Sequence, residues 1–212
     1  MPELLELPVS VCVVDDASPD GTGDLADGFA RDNMRVTVIH RSGKLGLGTA
    51  YVAGFKQALA NGADAVLTMD ADFSHHPRYI PSMMAAIEHA DLVIGSRYVP
   101  GGSVLYPLHR RVLSRVANMV ARMALGLNAR DCTAGFRLYR ASVLKNAPIE
   151  RIKSNGYSFL VEMLQAISRQ NIRIVEVPII FADRIRGESK ISPHEIYKGM
   201  RTVARLALKG AK

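Results

Sequence analysis

The segment Asp70-Ala71-Asp72 holds two carboxylates one residue apart, directly after an apolar run at 63–69. Clustered carboxylates are hard oxygen ligands for Mg²⁺ or Mn²⁺, and such sites usually combine one or two carboxylates with the phosphates of a substrate. Because Asp-x-Asp also arises by chance, a solvated turn is the alternative interpretation. If the pair binds a metal, the segment points to an enzyme that handles a phosphorylated, nucleotide-activated substrate.

A second acidic pair, Asp15-Asp16, follows the apolar run at 9–14 and precedes a Pro/Gly turn and a helical pattern. One of these carboxylates could accept hydrogen bonds from a base or a ribose, whereas turn and capping chemistry is the alternative. The Gly-rich turn at 43–50 opens another helix, and such a turn can hold an anion at a helix N-terminus. Its residue order is not that of a P-loop, so it is not a Walker motif.

These groups need elements that position them, and the first half of the chain alternates short apolar runs with helical patterns. Strands are predicted at 9–14, 35–39, 63–69 and 91–95, and helices at 22–32, 48–60 and 77–89. This alternation is typical of βαβ units, so we expect an α/β fold with a mostly parallel sheet flanked by helices. Since ligands gather beyond the carboxyl ends of such strands, all four carboxylates should lie on one edge of one sheet.

The second half of the chain contains longer helical patterns. Helices are predicted at 103–125, 157–169 and 194–209, and strands at 136–139 and 172–181, the latter broken by Pro178. In the pattern at 103–125, apolar residues recur at the spacing of an amphipathic helix. The last helix places four cations on one face, which favours a solvated face of a core helix over a membrane-surface helix. These cations are Lys198, Arg201, Arg205 and Lys209.

The two halves differ in charge. Residues 1–96 hold six Lys/Arg and thirteen Asp/Glu, a net of −7, whereas residues 97–212 hold twenty-one and seven, a net of +14. This asymmetry indicates a metal-binding end and an end that binds anions or faces a membrane. The chain has no Trp and no aromatic-rich basic patch, which argues against nucleic acid as a partner.

With 212 residues and 48% apolar content, the chain is expected to form a single domain with a hydrophobic core. Its two cysteines, Cys12 and Cys132, fit neither a disulfide framework nor a metal-binding spacing. No run reaches the roughly 18 apolar residues of a spanning helix, and the first residues lack the features of a signal peptide. A cytoplasmic protein is therefore expected.

Six segments carry more specific information. They are Val-Asp-Asp-Ala-Ser-Pro-Asp-Gly-Thr at 14–22, Lys-Leu-Gly-Leu-Gly-Thr-Ala-Tyr at 44–51, Met-Asp-Ala-Asp-Phe-Ser-His-His-Pro at 69–77, Ile-Gly-Ser-Arg-Tyr at 94–98, Asp-Cys-Thr-Ala-Gly-Phe-Arg at 131–137 and Arg-Ile-Arg-Gly-Glu-Ser-Lys at 184–190. In this order they resemble the dolichol-phosphate (polyprenol-phosphate) mannosyltransferases, which are family 2 glycosyltransferases of GT-A fold. The first three segments occur in many members of family 2, whereas the fourth and sixth are typical of its polyprenol-phosphate subgroup.

The resemblance implies one catalytic domain of Rossmann-like GT-A fold over 1–212, with a nucleotide and metal half at about 1–96 and an acceptor half at about 97–212. It implies transfer of mannose from GDP-mannose to a polyprenyl (dolichyl) monophosphate, with inversion at the anomeric carbon. The nucleotide-sugar site is implied at Val13, Asp15, Asp16, Lys44, Asp70, Ala71 and Asp72. The divalent metal, Mg²⁺ or Mn²⁺, is implied at Asp70, Asp72 and Ser74.

On the acceptor side, the resemblance implies phosphate-binding residues at Arg97, Arg110, Ser114, Arg184 and Lys190. Catalytic roles are implied for Asp72, Arg97 and Asp131. The leaving group of the implied reaction is a nucleoside diphosphate, whose developing charge a metal can stabilise. The acceptor phosphate is already ionised at pH 7, because its second pKa is about 6. We therefore expect catalysis to rely on positioning and on charge stabilisation.

Relatives carry a further strand that ends in a Pro-Thr-Tyr-Asn-Glu-like segment, and residues 1–8 do not contain this segment. The first strand of the family is therefore expected to be missing here. Two alternatives stay open: a polyprenyl-phosphate glycosyltransferase that uses another nucleotide sugar such as UDP-glucose, and a truncated, inactive module that binds lipid phosphate. A peripheral location at the cytoplasmic face of a membrane is expected, through direct surface binding or a membrane-anchoring subunit.

Overall fold

A computed structural model of the chain describes residues 1–105, 107–182 and 193–210. Its contacts divide the chain into two units, Met1–Ala63 and Asp64–Lys212. Both units combine strands with helices, which confirms the α/β class predicted from the alternating patterns.

The first unit is a βαβ arrangement with an added helix at each end. Its elements are α1 (Pro2–Leu5), β1 (Val11–Asp15), α2 (Thr22–Asp32), β2 (Val36–His40) and α3 (Leu47–Ala60). The two strands pair in parallel, with Val11 opposite Val36 and Asp15 opposite His40. A parallel pair needs a crossover connection, and α2 supplies it. The arrangement places Asp15 at the carboxyl end of β1.

The segment that leads into β1 is held by the side chain of Arg35. Its Nη1 donates to the carbonyls of Leu7 and Val9 at 2.8 and 3.3 Å, and its Nη2 donates to the carbonyl of Leu5 at 2.5 Å. Backbone carbonyls need a hydrogen-bond partner wherever water is excluded, and one guanidinium serves three of them here. Arg35 therefore fixes the path of the chain between α1 and β1.

The second unit contains the remaining elements. Its strands are β3 (Ala65–Thr68), β4 (Leu92–Ser96), β5 (Ser103–Val104), β6 (Arg137–Arg140), β7 (Ile174–Pro178) and β8 (Ile180–Phe181). Its helices are α4 (Ile80–Ile87), α5 (Leu108–Leu125), α6 (Ala141–Asn146), α7 (Tyr157–Ser168) and α8 (Pro193–Gly210). Short 3₁₀ turns occur at Pro77–Tyr79 and Ile149–Arg151.

The four-stranded sheet of this unit is mixed, with strand order β3-β6-β4-β7. Leu138 of β6 lies opposite Leu67 of β3 and Val93 of β4, antiparallel to both, whereas β7 pairs with β4 in parallel. A separate parallel pair joins β5 to β8. Three of the five described strand pairings are thus parallel. The expected single sheet is wrong, because β1 pairs with β2 in a sheet of its own and the neighbour of β3 is β6.

The core of the second unit packs around β4, whose five residues are all buried. Gly95 leaves room for the ring of Phe136, which would lie 2.8 Å from a β-carbon at that position. Arg137 is also fully buried; its Nη1 donates to the carbonyl of Leu160 at 3.0 Å and its Nη2 to the carbonyl of Cys132 at 2.7 Å. A buried guanidinium thus ties β6 to α7 and to the loop that precedes the strand.

Helix α5 begins five residues later than the pattern predicted, because β5 and Pro107 precede it. Its buried residues are Asn118 and Ala121, one polar and one small. Seven large apolar side chains of the same helix are exposed: Leu108, Val112, Leu113, Val116, Met119, Val120 and Met123. The helix therefore packs against the protein with its polar side.

Helix α8 packs beside α5 and α7. Leu206 is buried, and Arg205 donates to Glu162 of α7 with an Nη2–Oε2 distance of 2.7 Å. Arg205 is therefore paired, contrary to the solvated face of cations predicted for this helix. Within the described ranges, no helix combines the length and the apolar character needed to cross a bilayer.

Candidate functional site

The loop after β3 begins with the two carboxylates of the Asp-x-Asp segment. Asp72 Oδ1 accepts the backbone N–H of Ser74 at 3.1 Å and its hydroxyl at 2.5 Å. Between them, Phe73 adopts a left-handed φ of 62° and leaves its side chain exposed. This turn lets Ser74 close back on Asp72. The side chain of Asp70 is 40% exposed, and Ala71 is exposed beside it.

His75 is a buried residue of this loop to which the motifs assigned no role. Its Nδ1 accepts the backbone N–H of Asp70 at 2.9 Å. Its ring stacks on Phe136 with 5.1 Å between centroids and meets Phe181 edge-on at 5.3 Å. The imidazole thus fixes the acidic loop to the aromatic core. The sequence signal for it is a His-His pair after the Asp-x-Asp segment, which does not distinguish a buried histidine from an exposed one.

The pKa of His75 depends on its burial and on the charged side chains around it. Burial lowers the pKa of His75, so the ring is neutral and its Nδ1 is free to accept a hydrogen bond. The charge of Arg97 also lowers this pKa, whereas the carboxylates of Asp70, Asp72 and Asp131 oppose that effect. Arg97 also contacts Phe181, with 5.4 Å between its guanidinium carbon and the centre of the ring that His75 meets edge-on. The second unit therefore brings the acidic loop near the Arg97 and Asp131 side chains.

Arg97 follows β4 and forms a buried ion pair with Asp131. Its Nε donates to Oδ2 and its Nη2 to Oδ1, both at 2.7 Å, and its backbone N–H donates to Oδ2 at 3.0 Å. The Asp131 side chain has 0% exposed surface and the Arg97 side chain 10%. A bidentate pair of this kind is both strong and directional, so the guanidinium is held in one orientation.

The protonation state of Asp131 follows from this pairing. Burial by itself would raise the pKa of Asp131, but the charge and the hydrogen bonds of Arg97 hold it below its usual range. The carboxylate is therefore ionised at neutral pH. Because it has no exposed surface and is directed at Arg97, its geometry is that of a residue that orients the guanidinium.

The polar side of α5 supports this pair through Asn118. Its Nδ2 donates to Thr133 Oγ1 at 3.1 Å, and its Oδ1 accepts the backbone N–H of Cys132 at 2.8 Å. The same Thr133 hydroxyl accepts from Arg97 Nη2 at 2.8 Å. One buried amide thus connects α5 to the loop that carries the acidic partner of Arg97. The motifs did not single out Asn118, because its partners lie 14 and 15 residues further along the chain.

Glu176 of β7 holds the same loop from another strand. Its two carboxylate oxygens accept the backbone N–H groups of Arg130 and Asp131 at 2.8 and 3.0 Å. A carboxylate that accepts two backbone N–H groups forms charge-assisted hydrogen bonds. Glu176 therefore fixes the backbone at Asp131 while Arg97 fixes the side chain.

Ser114 joins the cluster through Tyr98. The two hydroxyl oxygens are 2.6 Å apart, and the Tyr98 ring lies 5.2 Å from the guanidinium carbon of Arg97. Arg110 lies one helical turn before Ser114 and is half-buried. The structure thus links Ser114 to Arg97 through Tyr98. Two predicted phosphate-binding residues lie outside the described residues, Arg184 and Lys190.

The first unit holds another acidic cluster. Asp15 accepts the backbone N–H of Ser18 at 3.2 Å and lies 3.6 Å from His40 Nδ1. Hydrogen bonding to Ser18 lowers the pKa of Asp15, and His40 adds to the effect. Asp16 Oδ1 lies 2.9 Å from Arg41 Nη1, an ion pair without hydrogen-bond alignment. Both carboxylates are thus ordered by contacts inside their own unit.

The other predicted nucleotide-site residues of this unit are Val13 and Lys44. Val13 is half-buried within β1, and Lys44 is exposed before α3. Their proposed contacts with a nucleotide, and those of Asp15 and Asp16, stay predictions.

Asp70 and Asp72 are two of the residues predicted to hold a divalent cation, and both belong to the loop after β3. Across residues 1–105, 107–182 and 193–210, no three His, Cys, Asp or Glu side chains group to enclose a metal ion. Two hard oxygen ligands fit a cation whose coordination is completed by substrate phosphates and water, rather than a closed structural site. Ser74, the third predicted ligand, is buried and donates its hydroxyl to Asp72.

The chain belongs to glycosyl transferase family 2, whose sequence model matches residues 3–147. It is 48% identical to the undecaprenyl-phosphate mannosyltransferase of Micrococcus luteus over 199 residues, which cover 93% of this chain and 82% of that protein. It is 45% identical to the polyprenol monophosphomannose synthase of Mycolicibacterium smegmatis over 205 residues, which cover 95% of this chain and 77% of that protein. The resemblance to the polyprenol-phosphate mannosyltransferases is therefore confirmed.

The fold is similar to that of glucosyl-3-phosphoglycerate synthase from Mycobacterium tuberculosis, whose structure was solved in complex with Mn²⁺, UDP and glucosyl-3-phosphoglycerate. The TM-score is 0.61 at 20% identity, over 94% of this chain and 68% of that chain. This similarity confirms the predicted GT-A architecture.

Proposed function

We propose that the chain transfers mannose from GDP-mannose to a polyprenyl monophosphate, with inversion at the anomeric carbon. The names of the two relatives support the substrate class. The observation that carries the proposal is the grouping of the Asp70–Asp72 loop with the Arg97–Asp131 pair through the His75 and Phe181 rings. A metal held by an acidic loop and fixed cations close to it can stabilise the negative charge that such a reaction between two phosphate-bearing substrates gathers.

The proposed reaction exchanges one bond for another at the sugar. An oxygen of the acceptor phosphate forms a bond to the anomeric carbon while the bond from that carbon to GDP breaks on the opposite face, and GDP leaves as an anion. The acceptor phosphate is ionised at pH 7, since its second pKa is about 6, so it needs little help from a general base. This agrees with Asp131, which is buried and already paired with Arg97.

On the donor side, we propose that Asp70 and Asp72 hold Mg²⁺ or Mn²⁺ together with the diphosphate of the donor, beside Ala71. A divalent cation bound there supplies charge stabilisation to the leaving diphosphate. The Ser74 hydroxyl keeps the Asp72 carboxylate in position. The nucleotide is proposed to contact Val13, Asp15, Asp16 and Lys44.

On the acceptor side, Arg97 is proposed to present a fixed positive charge that Asp131 orients. Its planar guanidinium suits a phosphate, and its bidentate anchoring means that little side-chain entropy is lost on binding. Further contacts to the acceptor phosphate are proposed for Arg110, Ser114, Arg184 and Lys190. A polyprenyl chain resides in a bilayer, so the proposal includes work at the cytoplasmic face of a membrane, by direct surface binding or with an anchoring subunit.

Transfer of labelled mannose from GDP-mannose to undecaprenyl phosphate in detergent, with Mg²⁺ or Mn²⁺, tests the proposal. We expect lipid-linked mannose, no product in EDTA, and a rate lowered by about 100-fold or more in Asp72→Asn, which removes a metal ligand. Asp64→Asn is the matched control, because Asp64 is exposed just before β3 and should leave the rate unchanged.

UDP-glucose is assayed in parallel with GDP-mannose. Transfer of glucose without transfer of mannose would replace the proposed donor. Absence of transfer from both donors, together with no metal-dependent heat of GDP binding in calorimetry, would identify an inactive module and overturn the proposal.

A further inference from the structure

His75 is a buried, ionisable side chain that the proposed reaction does not use as an acid or a base. It is 2% exposed and lies in the loop that carries Asp70 and Asp72. Its neighbour His76 is half-buried and accepts the backbone N–H of Arg78 at 3.2 Å, within its own turn. Because burying a polar ring is unfavourable unless its hydrogen bonds are satisfied, the contacts of His75 indicate what its burial achieves.

The His75 ring holds the backbone of Asp70 rather than its carboxylate. Nδ1 accepts the backbone N–H at 2.9 Å, whereas the same nitrogen lies 3.8 Å from Asp70 Oδ2, which is too far for a hydrogen bond. Because Nδ1 is the acceptor, the ring proton lies on Nε2. His75 therefore restricts where the carboxylate can lie without competing with a cation for its oxygens.

The same ring connects the acidic loop to the Arg97 side chain. It stacks on Phe136 with 5.1 Å between centroids, and it meets the Phe181 ring edge-on at 5.3 Å. The guanidinium carbon of Arg97 lies 5.4 Å from the centre of that Phe181 ring, which is a cation–π contact. Two rings in contact thus lead from the Asp70 backbone to the Arg97 guanidinium.

Phe181 is itself held in place by the backbone of β8. Ile180 donates its backbone N–H to the Tyr79 hydroxyl at 2.9 Å, and β8 pairs with β5 so that Phe181 lies opposite Val104. Tyr79 belongs to the short 3₁₀ turn that follows the acidic loop. The segment at 70–79 and β8 are thus joined both by rings and by the Tyr79 hydroxyl. In a close-packed interior, a shift of one of them is transmitted to the other.

We propose that His75 is a positioning residue, which sets the metal-binding carboxylates at a fixed place relative to the Arg97 guanidinium. The hydrogen bond to Nδ1 determines where the loop lies, and the ring determines its spacing from the Phe181–Arg97 contact. The inference rests on the proposed function, because that function assigns the metal to Asp70 and Asp72. A displacement of about 1 Å between reacting groups can lower a rate by about 100-fold, so such spacing matters for catalysis.

Two substitutions of His75 separate its hydrogen bond from its ring. His75→Phe keeps a ring and removes the acceptor, whereas His75→Asn keeps an acceptor near the Nδ1 position and removes most of the ring. Binding of Mn²⁺ in the presence of GDP is followed by electron paramagnetic resonance. We expect the Kd for Mn²⁺ to rise by about tenfold in His75→Phe and to stay within about twofold of the wild type in His75→Asn. His89→Asn is the matched control, because His89 is exposed after α4.

Phe181→Leu tests the contribution of the ring without changing the histidine. This variant and His75→Asn should bind Mn²⁺ like the wild type and lower kcat by about tenfold or more, because the spacing to Arg97 is lost. His75→Phe should show the opposite pattern, a raised KM for Mn²⁺ and a kcat within about threefold of the wild type at saturating Mn²⁺. A side chain that only stabilised the fold would not separate the two parameters in this way.

Hydrogen exchange of the Asp70 amide, followed by NMR without any ligand, provides a readout that does not depend on activity. Exchange should be faster by about tenfold or more in His75→Phe than in the wild type, and His75→Asn should restore the slow rate. If the wild type binds no Mn²⁺ and transfers no mannose, the proposed function fails, and this measurement still decides whether His75 positions the loop.

Three results would overturn the proposal. The first is an unchanged Kd for Mn²⁺ and an unchanged amide exchange rate in folded His75→Phe. The second is an equal loss of Mn²⁺ affinity in His75→Phe and His75→Asn, since the acceptor would then have no special part. The third is a wild-type kcat in both His75→Asn and Phe181→Leu, a comparison that remains decisive even where His75→Phe does not fold.

Discussion

At the scale of single residues, the Arg97–Asp131 pair is a tightly constrained polar contact of the second unit. Two charges are removed from water, and three hydrogen bonds between the residues compensate for the lost hydration. Removing one partner of a buried ion pair is strongly unfavourable, whereas replacing both by apolar residues of similar volume often is not. We therefore infer that the main effect of the pair is to hold the Arg97 guanidinium in one orientation, rather than to add net stability.

We predict that Asp131→Asn lowers the free energy of unfolding by about 3 kcal/mol, because it leaves the Arg97 charge buried without a counter-charge. The double variant Arg97→Met/Asp131→Leu should recover most of that loss and remain inactive. Urea unfolding of the wild type, the single variants and the double variant measures the coupling. Equal losses in Asp131→Asn and in the double variant would contradict the prediction.

The same pair has a defined pH dependence. The folded pKa of Asp131 lies below its unfolded value, so the pair contributes stability above the unfolded pKa of about 3.9 and loses it as pH falls through the folded pKa. The acid side of the stability curve should therefore be shallower in Asp131→Asn than in the wild type, since that variant has no carboxyl to protonate at this position.

The sequence motifs singled out the charged candidate residues. They did not single out the neutral residues whose hydrogen bonds position those candidates. Asp70, Asp72 and Arg97 stand in recognisable segments. His75 and Asn118 act through neutral hydrogen bonds to partners that only the tertiary fold brings near. A neutral imidazole or amide carries no sequence pattern that separates a buried structural role from a surface one.

At the scale of elements, periodicity located most helices and strands but did not determine which side of α5 faces the protein. The large apolar residues of α5 lie on its exposed side, whereas buried Asn118 and half-buried Ser114 have hydrogen-bond partners on the inner side. The position of β6, antiparallel between β3 and β4, could not be predicted from the sequence either. The residue pattern of a four-residue strand does not show whether it pairs in parallel or antiparallel. The short helices α1 and α6 were not predicted, because four to six residues show too few turns for a period.

We predict that Asn118→Ala lowers the free energy of unfolding by about 1–3 kcal/mol, because the backbone N–H of Cys132 loses its buried acceptor. The loss should be accompanied by reduced turnover, since Thr133 also loses a donor beside Arg97. Asn128→Ala, at an exposed position shortly after the same helix, is the control and should change stability by less than about 0.5 kcal/mol. Similar effects of both substitutions in urea unfolding would show that Asn118 does not anchor the loop.

At the scale of the whole molecule, charge is divided unevenly along the chain. The net of +14 over residues 97–212 includes the four arginines of α5, whereas residues 1–96 carry a net of −7. A cationic surface is attracted to anionic phosphates from a distance, and salt screens this attraction. The sequence alone predicted this asymmetry, but the fold was needed to show that part of the positive charge borders an apolar helix face.

We predict that binding to phosphatidylglycerol vesicles weakens by about tenfold or more when NaCl is raised from roughly 50 to 300 mM, because each arginine near the surface contributes a screened attraction. Residual binding to pure phosphatidylcholine, which depends on the apolar face, should change little over the same range. Co-sedimentation at both salt concentrations measures the difference. Affinity for anionic vesicles that does not respond to salt would show that the arginines do not face the headgroups.

The low reactivity expected of the two native cysteines would allow a cysteine introduced elsewhere to be labelled selectively. Burial raises the pKa of Cys132 to about 12, and burial also raises the pKa of the half-buried Cys12. Since the thiolate is the reactive form, buried Cys132 should not react with alkylating reagents at neutral pH, and Cys12 should react more slowly than an exposed cysteine. A cysteine introduced at the exposed Met119 would then accept a spin label or fluorophore selectively in an otherwise unaltered chain. The signal of that label would report how deeply the helix enters a lipid film.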